Sequence, residues 1–127
     1  MNNEMKKVAI FGANGSIGRA LCRHYQKQSH VYAFSRNDFD IDETSLDKIL
    51  LSDYEEETLS KIASTFENDS FNTIIISIGM LHSHDFLPEK RIEDFSSEQF
   101  LETIRVNTLI PTLIAKSFHK KLKNTER

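Results

Sequence analysis

The run KVAIF at residues 7–11 is apolar and rich in strand formers, and it stops abruptly at Gly12. From Ser16 the period changes: Ile17, Ala20, Leu21 and His24 share one helical stripe, with Arg19, Arg23 and Gln26 on the other faces. HVYAFSR, residues 30–36, returns to a strand pattern and ends in polar residues. Strand, helix and strand in so short a compass predict a βαβ unit, whose crossover helix sets the two strands parallel.

Between 37 and 70 the pattern is weaker. Residues 49–51 predict a short third strand, and about 54–66 a helix opened by Glu55, Glu56 and Glu57, whose charges suit the positive end of its dipole. FNTIIISIG, residues 71–79, is the strongest strand; its unbroken β-branched run predicts burial on both faces, as in the middle of a parallel sheet. A polar loop over 80–95 follows. Apolar positions then recur at helical spacing over 96–122 and predict one long helix, with Ser96 and Gln99 as a capping box and Pro111 as a kink or a weakened turn. No internal repeat or low-complexity tract interrupts this order. The alternation β-α-β-β-α-β-α predicts a doubly wound parallel α/β sheet in one domain, residues 1–127.

Composition narrows the functional classes. The 127 residues carry a net charge of −3, mixed in sign along the chain, and no Lys/Arg cluster is interleaved with aromatics, so no nucleic-acid partner is expected. Cys22 is the only cysteine, which excludes a disulfide framework and makes a reducing, cytoplasmic compartment the expectation. The apolar run after Lys6 and Lys7 meets Gly12 after four residues, too soon for a secretory leader, and nothing approaches a membrane span, so no membrane partner is expected.

The chemistry is concentrated in FGANGSIGRA, residues 11–20. A phosphate needs closely approaching backbone N–H groups and a positive field; a helix N-terminus supplies both, and side chains would block the approach. Gly12 suits the tight turn off the strand, Gly15 or Ser16 the close approach, and Gly18 the packing of helix on strand, with Asn14 and Ile17 completing the loop. A strand before, a helix after, and a second strand ending about 20 residues on are the context such a loop requires. The second strand ends in Ser35 and Arg36, where a carboxylate would select NAD through the ribose 2′-OH. A hydroxyl and a guanidinium suit the 2′-phosphate of NADP, so NADP is favoured. Asp38 keeps NAD in play, and Arg19 is a second candidate for a phosphate contact.

These residues resemble the N-terminal half of the short-chain dehydrogenase/reductase family, whose Rossmann-type sheet opens on Thr-Gly-x-x-x-Gly-x-Gly. In FGANGSIG, Phe11 stands where Thr is usual and Ser16 where the middle Gly is usual, with Gly15 one position earlier. IISIG stands where the family has Asn-Asn-Ala-Gly after its fourth strand; Gly79 survives, beside Ser77 and Ile78. VNTLIPTLIAK resembles the family's central helix, whose Asn corresponds to Asn107. GMLHSHDFLPEKRIEDF and the NT..PT.IAK run resemble more narrowly the subgroup related to the C-factor cell–cell signalling protein. The resemblance implies a pyrophosphate at Gly12–Gly18, the adenosine and ribose at Ser77, Ile78 and Gly79, and adenine contact by Asp53. It implies for Asn107 a place in the proton relay that supports the catalytic lysine, although Asn107 can equally bond the backbone near the loop.

The family's acid–base pair is Tyr-x-x-x-Lys, in which the ammonium favours phenolate. Tyr25, Tyr32 and Tyr54 are followed at that spacing by Ser29, Arg36 and Thr58, so none fits. The expectation is therefore a cofactor half, truncated after the fourth strand and its following helix, that transfers no hydride alone. The longer product would be an NADP-dependent reductase of a small carbonyl or alcohol substrate. The competing reading is a non-catalytic nucleotide-binding or signalling protein. Truncation would leave the 73–78 strand as an apolar edge, so self-association is expected through that edge or the 96–122 helix. His82, His84 and Asp85 lack further ligands, and no metal is expected.

Overall fold

The structure, a computed structural model, describes residues 5–79 and 92–124. Four parallel strands, β1 (Lys6–Phe11), β2 (Ser29–Ser35), β3 (Leu46–Leu50) and β4 (Thr73–Ile76), lie in the order β3-β2-β1-β4. Helix α1 (Ser16–Tyr25) connects β1 to β2, and α2 (Glu56–Ala63) connects β3 to β4. The chain thus leaves β1 in one direction and returns on its other side, so the point where the order reverses lies between β1 and β4.

Phe11 explains one departure from the resemblance. It is fully buried, stacked on Phe34 at 4.2 Å between ring centroids and edge-on to Phe118 at 4.9 Å. Phe66 and Phe71 extend this aromatic core on the α2/α4 face of the sheet. On the other face α1 covers Val8, Ile10, Val31 and Ala33.

Two expectations are corrected in the sheet and its first helix. The buried stripe of α1 is Gly18 and Cys22, flanked by the half-buried Leu21 and Tyr25; Ile17, Ala20 and His24 are exposed. Gly18 fixes that rotation, because a Cβ there would lie 2.0 Å from the Gly12 carbonyl oxygen, so only glycine lets the helix cross the turn so closely. β4 is half-buried throughout instead of enclosed on both faces. Among the described residues, Thr73–Ile76 pair only with β1, while Leu122 makes a parallel bridge to Phe71 just before them.

The long helix is in fact interrupted. A 3₁₀ turn (Ile92–Asp94) precedes α3 (Ser97–Ile104), a π-helical turn spans Arg105–Leu109, and α4 (Ile110–Phe118) runs into a 3₁₀ turn, His119–Lys121. Proline has no N–H and crowds the carbonyl four residues back. Just before Pro111 the ladder widens, and the Ile110 N–H donates five residues back to the Arg105 carbonyl. The Ser96 hydroxyl does cap α3, accepting from the Gln99 N–H at 3.2 Å. No helix among the described residues is long and apolar enough to cross a membrane.

Candidate functional site

The loop between β1 and α1 lies at the carboxyl ends of the strands, beside the reversal point. Gly12, at φ +84°, makes the turn, and its N–H and that of Ala13 donate to the Phe34 carbonyl at 3.0 and 3.1 Å. A Cβ on Gly12 would lie 2.2 Å from the Ser77 carbonyl oxygen, so the first residue after β4 closes directly over the turn. Gly12 and Gly18 are therefore dictated by packing. Gly15 is not: its φ −71°, ψ 166° suits any residue, and a Cβ would make one ordinary contact, 3.6 Å to the Gly12 carbonyl oxygen. Gly15 is the N-cap of α1, offers no side-chain cap, and is followed by a first turn with no acidic residue.

Two clefts meet at this loop. One, of about 590 Å³, is lined by Gly12, Asn14 and Gly15 from the loop, and by Ser35, Arg36 and Asp53 from the ends of β2 and β3. The other, of about 620 Å³, is lined by Gly15, Ser16, Ile17 and Gly18 together with Ile76 and Asn107. Gly15, Ser77, Ile78 and Gly79 line both. The structure therefore lines these two adjoining clefts with the anticipated site residues other than Arg19 and Asp38; Asn107 alone comes from the π-helical turn. A Cβ on Gly79 would stand 3.1 Å from Asn107 Oδ1, so the segment after β4 passes close against that turn. Ile17, 69 % exposed, is an apolar wall of the second cleft where the α1 stripe had predicted a core residue.

The polar groups divide by partner. The Ser35 side chain, at the wall of the first cleft, is buried, and its hydroxyl donates to the Asn37 carbonyl at 2.7 Å. Asp53 accepts from the Glu55 N–H at 2.9 Å, and the Thr58 hydroxyl, ahead of that backbone bond, holds its carboxyl below the usual range. Asp38, the residue that kept NAD in play, is committed elsewhere: Lys48 Nζ at 2.9 Å and the Phe39 N–H hold its carboxyl low. Arg19 is likewise engaged, donating Nε to the Asn14 carbonyl at 3.0 Å and Nη2 to Asn14 Oδ1 at 2.9 Å, with its guanidinium 5.3 Å from the Phe39 ring centroid. It braces the loop from behind.

Sequence reasoning missed the outer wall of the first cleft, made of Tyr54, Glu102, Arg105, Val106 and Ile110. Their signal was the spacing of 102, 106 and 110, one face of the interrupted helix. Arg105 grips Glu102 with two bonds of 3.0 Å and keeps that carboxyl below its ordinary value. A larger open groove, about 970 Å³, lies between α2 and the end of α4, but its lysines are already paired. Lys116 meets Glu56, Lys61 meets Glu57, and Lys121 donates to the Phe66 carbonyl and Asn68. Among the described residues no three potential metal ligands cluster; His82, His84 and Asp85, and residues 80–91 of the loop predicted over 80–95, lie outside them.

No protein-family profile and no curated protein matches the chain. Many solved structures share the fold. A short-chain dehydrogenase from Leptospira borgpetersenii with bound NAD+ is 21 % identical, with a TM-score of 0.75 over 91 % of this chain and 46 % of that one. A short-chain dehydrogenase/reductase from Burkholderia multivorans with bound NADP is 16 % identical, with a TM-score of 0.78 over 94 % and 55 %. An ElxO variant with NADPH bound is 20 % identical, with a TM-score of 0.72 over 90 % and 49 %. The chain spans about half the length of these structures, and at such identities the likeness establishes the Rossmann-type doubly wound fold.

Proposed function

We propose that the double cleft holds a nicotinamide dinucleotide, NADP(H) in preference to NAD(H), and that the chain is the cofactor-binding part of a short-chain oxidoreductase interconverting a carbonyl and an alcohol. The observation that carries this reading is Gly15. Nothing in the fold requires glycine there, yet it stands where the two clefts meet, at a helix N-terminus without a side-chain cap. A pyrophosphate at that point would accept from the first-turn N–H groups and meet the positive end of the α1 dipole. Its adenosine and ribose would extend along Ser35, Arg36 and Asp53 and by Ser77, Ile78 and Gly79, and its nicotinamide along Ile17 and Asn107. Three of the fold's solved relatives are described with NAD+, NADP or NADPH bound, in line with that assignment.

Arg36 favours the 2′-phosphate, and with Asp38 tied to Lys48 the neighbouring carboxylate that would select the 2′-OH is already spent. Titrating NADPH and NADH separately into the chain tests both halves of the reading. Tighter NADPH binding is expected; failure of both ligands overturns the site, and tighter NADH binding overturns the role of Arg36. A second reading, a nucleotide-binding or signalling protein in the manner of C-factor relatives, draws on the lack of any Tyr-x-x-x-Lys among the 127 residues. A Ser followed by Tyr-x-x-x-Lys in adjoining coding sequence decides for the enzyme. Self-association with a second copy, through the β4 edge or the 96–122 helices, belongs to the same proposal; Phe100, Leu101 and Leu109 are large apolar side chains exposed on that helix.

A further inference from the structure

We propose that Tyr54 is a positioning residue that gives the cleft its preference for a 2′-phosphorylated dinucleotide, by holding the Arg36 guanidinium against its ring. The inference rests on the cofactor reading above and adds a residue that the glycine loop and the end of β2 do not supply.

Tyr54 follows β3, is half-buried, and packs against the core cluster that includes Phe11, Phe34, Leu51 and Leu59. The core thus backs the side chain, and the Arg36 guanidinium carbon lies 5.9 Å from the ring centroid, within cation–π range. Both residues line the same cleft. Burial pushes the Tyr54 hydroxyl up, against the opposing pull of Arg36, so the ring stays a neutral phenol in the neutral pH range. An exposed arginine explores many rotamers, and holding it before the ligand arrives reduces the ordering cost of binding.

The other cation on the cleft wall behaves differently. Arg105 is committed to Glu102 by two hydrogen bonds, whereas Arg36 forms no ion pair among the described residues. Arg105 holds Glu102 bidentately, and the Arg36 charge, near enough to help lower that carboxyl, makes no direct ion pair with it among the described residues. The donors of Arg36 are left to an anion in the cleft, and a planar guanidinium matches a phosphate bidentately. The only groups distinguishing NADP from NAD are the 2′-phosphate oxygens, so a device acting through Arg36 must appear in the ratio of the two affinities and not in their common part.

The test is to titrate NADPH and NADH into the wild-type chain, Tyr54→Phe, Tyr54→Leu, Arg36→Leu and the double variant Arg36→Leu/Tyr54→Leu. Tyr54→Phe keeps the ring and should keep the affinity ratio. Tyr54→Leu should weaken NADPH about two- to fivefold more than it weakens NADH, the worth of one exposed cation–π contact. In the Arg36→Leu background, Tyr54→Leu should not change the ratio of the two affinities further. Equal weakening of both ligands by Tyr54→Leu, or a change in the ratio that persists without Arg36, overturns the proposal. Thermal unfolding accompanies each titration, and Tyr54→Met, closer in length to the native side chain, repeats the test if the leucine variant does not fold. If the wild type binds neither ligand, the cofactor reading itself has failed; if it binds NADPH and all Tyr54 variants match it, only this proposal has.

Discussion

Gly15→Ala separates what the fold needs from what the ligand needs. At Gly15 the backbone is in an ordinary extended conformation and a methyl would touch only the Gly12 carbonyl oxygen at 3.6 Å. Replacing glycine at such a position stabilises by about 0.4–1 kcal/mol, because the unfolded chain loses freedom. Position 15 is also an N-cap, where alanine is worse than glycine by roughly 0.5–1 kcal/mol. The two effects offset, and the unfolding midpoint should stay within about 2 °C of wild type for a domain of this size. Gly12→Ala is the contrast. Its left-handed φ adds about 1–2 kcal/mol of strain, and a Cβ 2.2 Å from the Ser77 carbonyl oxygen forces backbone apart, an overpacking of about 1–3 kcal/mol. A fall of roughly 10 °C or more is expected.

Binding should move the other way. The Gly15 methyl would project where the two clefts join, and a pyrophosphate pushed off the first turn of α1 loses at least one charge-assisted hydrogen bond, about 1.5–3 kcal/mol. NADPH and NADH affinities should therefore both fall by about tenfold or more. Calorimetric titration with both cofactors, beside thermal unfolding by circular dichroism, reads the two quantities on one sample. Wild-type affinity in Gly15→Ala would refute the reasoning, because the glycine would then be only a turn. Destabilisation as large as that of Gly12→Ala would refute it equally.

Other outcomes follow from single contacts. Arg19→Gln should weaken NADPH and NADH by the same factor, since Arg19 braces Asn14; a loss confined to NADPH, seen in the same titrations, would make it a 2′-phosphate ligand instead. Cys22 is fully buried and burial pushes its thiol up to about 11, so a thiol reagent near pH 8 should label it only after denaturant is added; rapid native labelling would contradict the packing of α1. The carboxyls of Asp38, Asp53 and Glu102 are all held below their ordinary values of 3.8 to 4.5. Lowered folded values mean stability that is present above that range and lost as pH falls through and below it. The unfolding midpoint should therefore be level above roughly pH 5 and drop below it, and a rise on acidification would contradict the assigned partners. Sedimentation should show association; a clean monomer at all concentrations would remove the self-association proposal.

The βαβ start was legible because local signals agree there: KVAIF, the glycine turn and HVYAFSR each specify their own conformation, and the register Phe11↔Phe34 follows. Long-range facts were not. The rotation of α1 depends on Gly18 meeting the Gly12 carbonyl, a contact across a turn that an apolar-stripe argument cannot weigh because glycine carries no hydrophobic signal. Arg19 looked like a phosphate arm because its partner, Asn14, reads as a loop residue rather than as a hydrogen-bonding site. The unbroken Ile74–Ile75–Ile76 run did mark a strand next to β1, but its hydrophobicity specifies a buried surface without specifying what buries it.

The interrupted helix shows where a local rule and a site coincide. Pro111 predicted disruption, and the disruption falls as a π-helical turn over Arg105–Leu109, the turn that carries Asn107. A single π turn inserts an extra residue and so rotates the helix before it relative to the helix after it; such turns recur at functional sites. Here the consequence is geometric: Glu102, Arg105, Val106 and Ile110 face the first cleft, while Asn107 faces the second beside Gly79. An unbroken helix places residues 106 and 107 about 100° apart on one cylinder, whereas the widened turn spreads this stretch over two walls. Proline two residues after the π turn is thus coupled to the site by backbone geometry. Pro111→Ala, by restoring an N–H, should relax the turn toward α-helix and shift Asn107 relative to Arg105 and Val106, altering both cleft walls.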